Sequence, residues 1–568
     1  MSRFLLALLF SLGMFAQTPY DAILTGGRIV DGTGNNWFYG DLGIRDGKIA
    51  RIVPRGVLRN AEARERIDVT GLVVAPGFID IQGQSRTQFL SQDGRVISKV
   101  TQGVTTEILG EGVTNAPSNE KTSTAQRDTG RTGDNAFEGP HGFDAWLRAM
   151  KEHGASTNFG SFVGATTIRQ YVKGMAQGAP TDSEVETMQT LVRQAMEDGA
   201  FGIASALIYP PGNYATTKEL GSMAKAMAPF GGVYITHMRS EADQFLEAID
   251  EALEIGRQGG VPVEIYHLKA GGRRNWPKVP LAIAKIDAAR AAGIDVSADM
   301  YPYTAGGTGL TAVLPPWTAA DGKLFDNLGD PAVRAKIRAE IQSDKTDWEN
   351  MGQLAGPDGV LIVGIDKDEN KQYVGKRLSE VATMMHKDWM DAAMDLILSE
   401  HRRVETIYFM MSEDNVKLQL RQPWIKIGTD AAGLDPEKAK DLAHPRSYGT
   451  FPRILGKYTR DENVMTIEEA VRKMTSAVAR RLSIQDRGLL QEGLCADIAV
   501  FDPRTIIDHA TYEQPHQLST GVQYVFVNGV AVVKEGKHTG ALPGQIVRGP
   551  GYVQAPPHIV NLEFSHRL

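Results

Sequence analysis

Cysteine is nearly absent from this 568-residue chain: the one thiol, Cys495, has no partner for an internal disulfide. It stands in a late strand–turn stretch with no base near it in sequence, so it reads as structural and inert rather than nucleophilic. Positive charge is also short. Lys and Arg total 61 against 68 Asp and Glu, a net charge of -7. With no dense Lys/Arg cluster, this argues against a nucleic-acid footprint. Beyond the N-terminus no segment approaches the length of a membrane span, and no repeat or low-complexity tract stands out. Two common catalytic signatures are missing. The glycine run Ala305-Gly-Gly-Thr-Gly309 lacks the Lys-Ser/Thr ending of a phosphate loop. No Gly-x-Ser-x-Gly elbow precedes a helix with the right partners.

What is present is the composition of a large globular protein: 42% hydrophobic, 23% charged and 60 glycines. The length suits a large barrel with a smaller module. The chain opens with a short basic start and a short apolar run ending Met14-Phe-Ala-Gln17. This predicts a signal peptide over 1–17, cleaved after Ala16, and a secreted or periplasmic protein. The run is too short for stable membrane insertion. Residues 18–75 read as short alternating strands broken by Gly-Gly and Asp-Gly. Residues 486–548 match them, with a hairpin signal at Asn528-Gly529. The two ends should pair into one discontinuous β-sandwich, followed by a tail over 549–568.

Between them, residues 76–485 alternate strands and helices. Eight short apolar runs fit buried parallel strands: those beginning at Val74, Thr105, Phe159, Phe201, Gly231, Val261, Asp295 and Ile425. Thr181-Asp-Ser-Glu184 and Thr466-Ile-Glu-Glu469 are capping boxes for helices. The expected fold is therefore α/β, a (β/α)8 barrel with a small β-sandwich. A polar stretch at 119–140 and charged helical patterns at about 315–380 look like insertions near the barrel mouth.

Two of these runs end in histidine, Gly-Gly-Val-Tyr-Ile-Thr-His237 and Val-Pro-Val-Glu-Ile-Tyr-His267, with an amphipathic helix between them. A right-handed crossover puts both rings at the C-terminal edge of the sheet, where barrel enzymes do their chemistry. Glu111 and Asp430 end two other runs. Together the four resemble the ligands and base of a hydrolytic metal site. Taken singly, Glu111 also reads as a solvated loop charge and Asp430 as a helix N-cap. Lys269, Tyr301 and Arg446 follow strands at the same edge and suit an anionic substrate. The bland alternative for each is a surface ion pair.

Ordered motifs then carry a resemblance. Ala75-Pro-Gly-Phe-Ile-Asp80, Thr101-Gln-Gly-Val-Thr-Thr106, Tyr209-Pro-Pro-Gly-Asn-Tyr-Ala215, Thr236-His-Met-Arg-Ser-Glu241, His267-Leu-Lys269, Tyr301-Pro-Tyr303, His444-Pro-Arg446 and Gly449-Thr-Phe-Pro-Arg453 occur in that order. From about Tyr20 to Arg548 the chain resembles the amidohydrolase superfamily, and within it the N-acyl-D-amino-acid deacylases (D-aminoacylases). The resemblance implies zinc held by Glu111, His237 and His267, a base at Asp430, and substrate-carboxylate contacts from Lys269, Tyr301 and Arg446. It also implies a His-x-His pair after the first strand, where this chain has Gln82-Gly-Gln84. A glutamine amide is a poor zinc ligand, so the second metal position is expected weak or lost, leaving one metal per chain. Cysteine is common in the family where Glu111 stands. A carboxylate there makes a harder site, open to other divalent metals. Gly307 falls where a substrate-contacting serine can occur.

The implied activity is hydrolysis of linear amide C–N bonds, non-peptide or D-configured, in a small N-acyl amino acid or peptide-like substrate. A dipeptidase or cyclic-amide hydrolase would use the same metal chemistry with another pocket. A non-catalytic binding protein would have no need for all of Glu111, His237, His267 and Asp430. The sequence is compatible with an oligomer.

Overall fold

The computed structural model describes residues 19–133, 135–344 and 346–554. The expected signal peptide over 1–17 lies outside the described residues, as does the tail beyond 554. Eight parallel strand positions follow one another in space as in sequence: Phe78–Asp80, Val104–Leu109, Asn158–Ser161 continued by Val163–Gly164, Gly202–Ala206, Val233–His237, Val263–Ile265, Val296–Met300 and Ile425–Ile427. The last returns to the first through a parallel bridge between Gly83 and Ala431. There Asp430 N donates to Gln82 O at 2.9 Å and Gln84 N to Ala431 O at 3.0 Å. These segments are short and wholly buried, as strands covered on both faces must be, and mostly apolar apart from a few charged side chains such as Glu264 and Lys426. The connecting helices start where the capping residues sit. Thr181 accepts from Glu184 N at the head of Asp182–Glu197, and Thr466 from Glu469 N at the head of Ile467–Met474.

The two chain ends share one nine-stranded sheet. Its seam is Val73–Pro76, parallel to Tyr20–Ile29 on one side and antiparallel to Ile498–Phe501 on the other. Asn528 and Gly529 turn the hairpin between Val522–Val527 and Val530–Lys534, both with positive φ (51° and 80°), the backbone a two-residue hairpin needs.

Between the seventh and eighth barrel strands the chain leaves to build a separate antiparallel sheet. Glu405–Phe409 pairs with Ala305–Gly309 and with Val360–Gly364. Helices Pro331–Ile341 and Trp389–Glu400 help close a core around Val313, Ile337, Ile362, Met394 and Tyr408. This insertion is wider than the charged patterns at 315–380: it begins with a glycine strand that carries almost no apolar signal. The polar stretch after Glu111 holds a helix, Glu120–Asp128, capped by Asn119, and its Ala125 joins the insertion's core. No helix among the described residues is long and apolar enough to cross a membrane.

Candidate active site

His237 is the last residue of its strand, His267 lies two residues past Ile265, and Glu111 two residues past Leu109. Their side chains meet at the barrel mouth. Glu111 Oε1 lies 3.0 Å from His237 Nδ1 and 3.1 Å from His267 Nε2, and the two imidazoles stand nearly perpendicular with centroids 4.5 Å apart. One donor atom from each residue falls within 4.8 Å of the others. Zinc bonds of about 2.0–2.2 Å call for tetrahedral donors roughly 3.3–3.5 Å apart, so this set fits a metal after a small outward adjustment. Burial opposes the charge on Glu111. The hydrogen bonds from His237 and His267 more than offset it, holding the carboxyl well below its usual range.

One carboxylate stands behind both rings. Glu241 Oε1 is 2.9 Å from His267 Nδ1, and Oε2 is 3.6 Å from His237 Nε2. Only the His267 contact is within hydrogen-bond range, and His237 Nε2 has no hydrogen-bond partner among the described residues, so Glu241 orients the His267 ring alone and turns its Nε2 toward Glu111. Burial works against its charge too. Lys269 and the two histidines prevail and bring Glu241 down to about 2. Lys269 Nζ is 2.7 Å from Glu241 and 2.7 Å from His267 Nδ1, so its ammonium is tied into this support. The insertion adds a further acid: Glu349 Oε2 accepts from Glu241 N. Burial, then the Glu241 charge, pushes Glu349 up to about 8.

Asp430 sits across the mouth. Its Oδ2 lies 2.8 Å from Arg446 Nη1 and its Oδ1 accepts from Gln84 Nε2 at 3.3 Å. Burial lifts its carboxyl to about 6 against the pull of Arg446. Asp430 (φ 48°) and His267 (φ 32°) both hold left-handed backbone. Non-glycine residues rarely adopt it, at a cost of order 1–3 kcal/mol each, and it clusters at functional sites. His267 is held by its amide, which donates to Asp299 Oδ1 at 2.9 Å. Arg446 begins a helix whose approach is set by His444. His444 Nδ1 accepts from Arg446 N at 3.0 Å, leaving Nε2–H for Ala305 O at 2.9 Å. The Arg446 guanidinium lies over the Tyr301 ring, 4.6 Å from its centroid, with Lys269 Nζ 5.7 Å from it.

Gln82 and Gln84 each donate an Nε2–H to Glu111 Oε2 at 2.8 Å. A carboxylate only accepts, so the amide nitrogens must face it. Those nitrogens have no lone pair to offer a metal. All of these side chains except Gln82 and Asp299 line one cavity of about 1080 Å³. The structure thus gathers Glu111, His237, His267, Asp430, Tyr301, Arg446 and Lys269 around one space. Sequence reading missed the supporting Glu241 and Glu349. Glu241 had a signal, four residues past His237; Glu349 had none, since it comes from the insertion.

Chemistry at the carboxyl ends of a parallel barrel, joined to a sheet built by both chain termini, marks a hydrolase of the amidohydrolase class, and a family model described as "Amidohydrolase family" matches residues 328–533. A D-aminoacylase of Alcaligenes xylosoxydans xylosoxydans is 35% identical over 93% of this chain and 98% of its own. Among solved structures, the N-acyl-D-glutamate deacylase of Bordetella bronchiseptica, complexed with zinc and a phosphonate mimic of the tetrahedral intermediate, superposes with a TM-score of 0.77 at 32% identity, over 94% of this chain and 100% of that one. A D-aminoacylase described by its binuclear metal centre, with one-metal activation and second-metal attenuation, gives 0.78 at 33% identity, over 93% and 100%. The chain belongs to the N-acyl-D-amino-acid deacylases of the amidohydrolase family.

Proposed function

We propose that this enzyme hydrolyses N-acyl-D-amino acids to a carboxylate and a free D-amino acid, with one divalent metal, zinc foremost, held by Glu111, His237 and His267. The observation that carries the reading is the convergence of these three donors at the barrel mouth, with Asp430 and Arg446 paired across the same cavity. Bound there, the metal supplies Lewis-acid polarisation of the scissile carbonyl and a lowered pKa for water. Asp430 takes the proton of the attacking water on its carboxylate and returns it to the leaving nitrogen. Its raised affinity for a proton suits both halves of that task. Arg446, stacked on Tyr301, receives the substrate carboxylate and so sets which enantiomer presents its amide. Lys269 supports from behind, holding Glu241 and through it the ring of His267.

Gln82 and Gln84 support a single metal, because they satisfy Glu111 Oε2 with N–H donors. The apolar N-terminal run supports export to the periplasm. Hydrolysis of N-acetyl-D-amino acids by the purified metal-loaded protein, set beside their L-enantiomers and dipeptides, tests the substrate. Equal turnover of the enantiomers, or faster turnover of dipeptides, would refute the D-aminoacylase reading. Elemental mass analysis giving two metals per chain would refute the single site.

A further inference from the structure

The cavity has a second cationic wall that the mechanism does not use. The glycine strand Ala305–Gly309 runs along it. A Cβ on Gly307 would lie 3.4 Å from Arg446 Nη2, and one on Gly309 would lie 3.3 Å from the Arg403 guanidinium. Alternate residues of a strand share a face about 7 Å apart, so the two guanidinium groups stand side by side. Two more arginines join Arg403. Gly130 O accepts from Arg403 N at 3.3 Å, which lays Arg131 alongside. Arg86 Nη1 donates to Val113 O at 2.6 Å, next to the turn that carries Glu111. Arg403 has a partner in half-exposed Glu405 at 2.6 Å. Among the described residues, Arg86 and Arg131 have no carboxylate within ion-pair distance. Burial, then the like charges of Arg403 and Arg86, brings the Arg131 guanidinium down to about 9, the mark of a cation lacking a counter-charge.

We propose that Arg86, Arg131 and Arg403 form a second anion pocket beside Arg446, and that the preferred substrate carries a second carboxylate that enters it. The proposal deepens the deacylase reading and rests on it: Arg446 takes the α-carboxylate, and the three arginines take an anionic group on the side chain or the acyl arm. Guanidinium forks suit carboxylates geometrically, and half-buried arginines without a carboxylate partner, as Arg86 and Arg131 are, gain from an arriving anion.

Binding separates this from turnover. The metal-loaded Asp430→Asn protein is titrated calorimetrically with N-acetyl-D-glutamate, N-succinyl-D-leucine and N-acetyl-D-norvaline. The first carries its second carboxylate on the side chain, the second on the acyl arm, and the third has none. One of the two dicarboxylates should bind at least tenfold tighter than N-acetyl-D-norvaline, and which one does identifies the source of the anion. Adding Arg131→Gln should abolish the preference and leave N-acetyl-D-norvaline binding unchanged. Equal affinities for all three, or a preference that survives both Arg131→Gln and Arg403→Gln, overturns the pocket. The deacylase reading fails on a separate result, the absence of N-acetyl-D-norvaline hydrolysis by the unsubstituted enzyme.

Discussion

On the strands Val263–Ile265 and Ile425–Ile427, Glu264 and Lys426 meet inside the barrel, while three and four residues further on His267 and Asp430 stand at its mouth. At the inner level Glu264 and Lys426 both have protein partners. Lys426 Nζ lies 2.9 Å from Glu264 and 2.7 Å from Ser297 Oγ, and Arg481 Nε is 3.1 Å from Glu264. At the outer level the backbone is left-handed, Asp430 is lifted to about 6, and the side chains face a cavity. Two strands thus carry a closed charge network and an open one within about 10–13 Å. The closed one joins strands; the open one retains capacity for something that is not protein.

The sharpest way to test this contrast is to remove one charge from each level. Asp430→Asn should lower kcat by roughly 10²–10⁴-fold while metal content and Tm stay as they were. A fall in metal content would make Asp430 a ligand instead. Glu264→Gln should do the reverse. It leaves Lys426 buried without a carboxylate, while Arg481 keeps Asp295 at 2.8 Å, so stability should drop by about 3 kcal/mol in denaturant unfolding, while the folded fraction keeps its kcat. Lost turnover without lost stability would erase the distinction.

Glu349 extends the contrast to the insertion, through pH. Its carboxyl is raised to about 8 in the folded chain, so the folded state keeps a proton that the unfolded chain has released above about 4.3. Stability should therefore fall as pH rises from about 4.3 towards 8. Glu349→Gln, with no proton to lose, should flatten the slope of Tm against pH; an unaltered slope would place the titration elsewhere. The smallest effect concerns the glutamines. Gln84→Ala should weaken metal binding about tenfold in a chelator competition without changing the stoichiometry of one. Gln82→His with Gln84→His should raise that stoichiometry towards two.

The candidate metal donors were legible because each stands at or just past the end of a short apolar run, and a parallel barrel sends all such ends to one rim. The eight strands were legible for the same reason. Glu241 was readable only as a neighbour of His237, since its contact with His267 depends on how the turn after the strand folds back. Arg86, Arg131 and Arg403 are far apart in the chain and come from three different connections. Only the insertion's glycine strand and the Gly130 turn bring them together. That strand was itself unreadable: Ala305-Gly-Gly-Thr-Gly309 looks like loop, yet it pairs along its length with Glu405–Phe409, and its glycines leave room for two arginines to lie against it.

The seam of the terminal sheet also sets a schedule. Val73–Pro76 is made early, but its partner Ile498–Phe501 emerges some 420 residues later. At ribosomal rates of 5–20 residues per second this is roughly 20–85 s, during which the nascent N-terminal strands present an unpaired edge. A chain released before its last strands are made would leave that edge open for another chain to pair with.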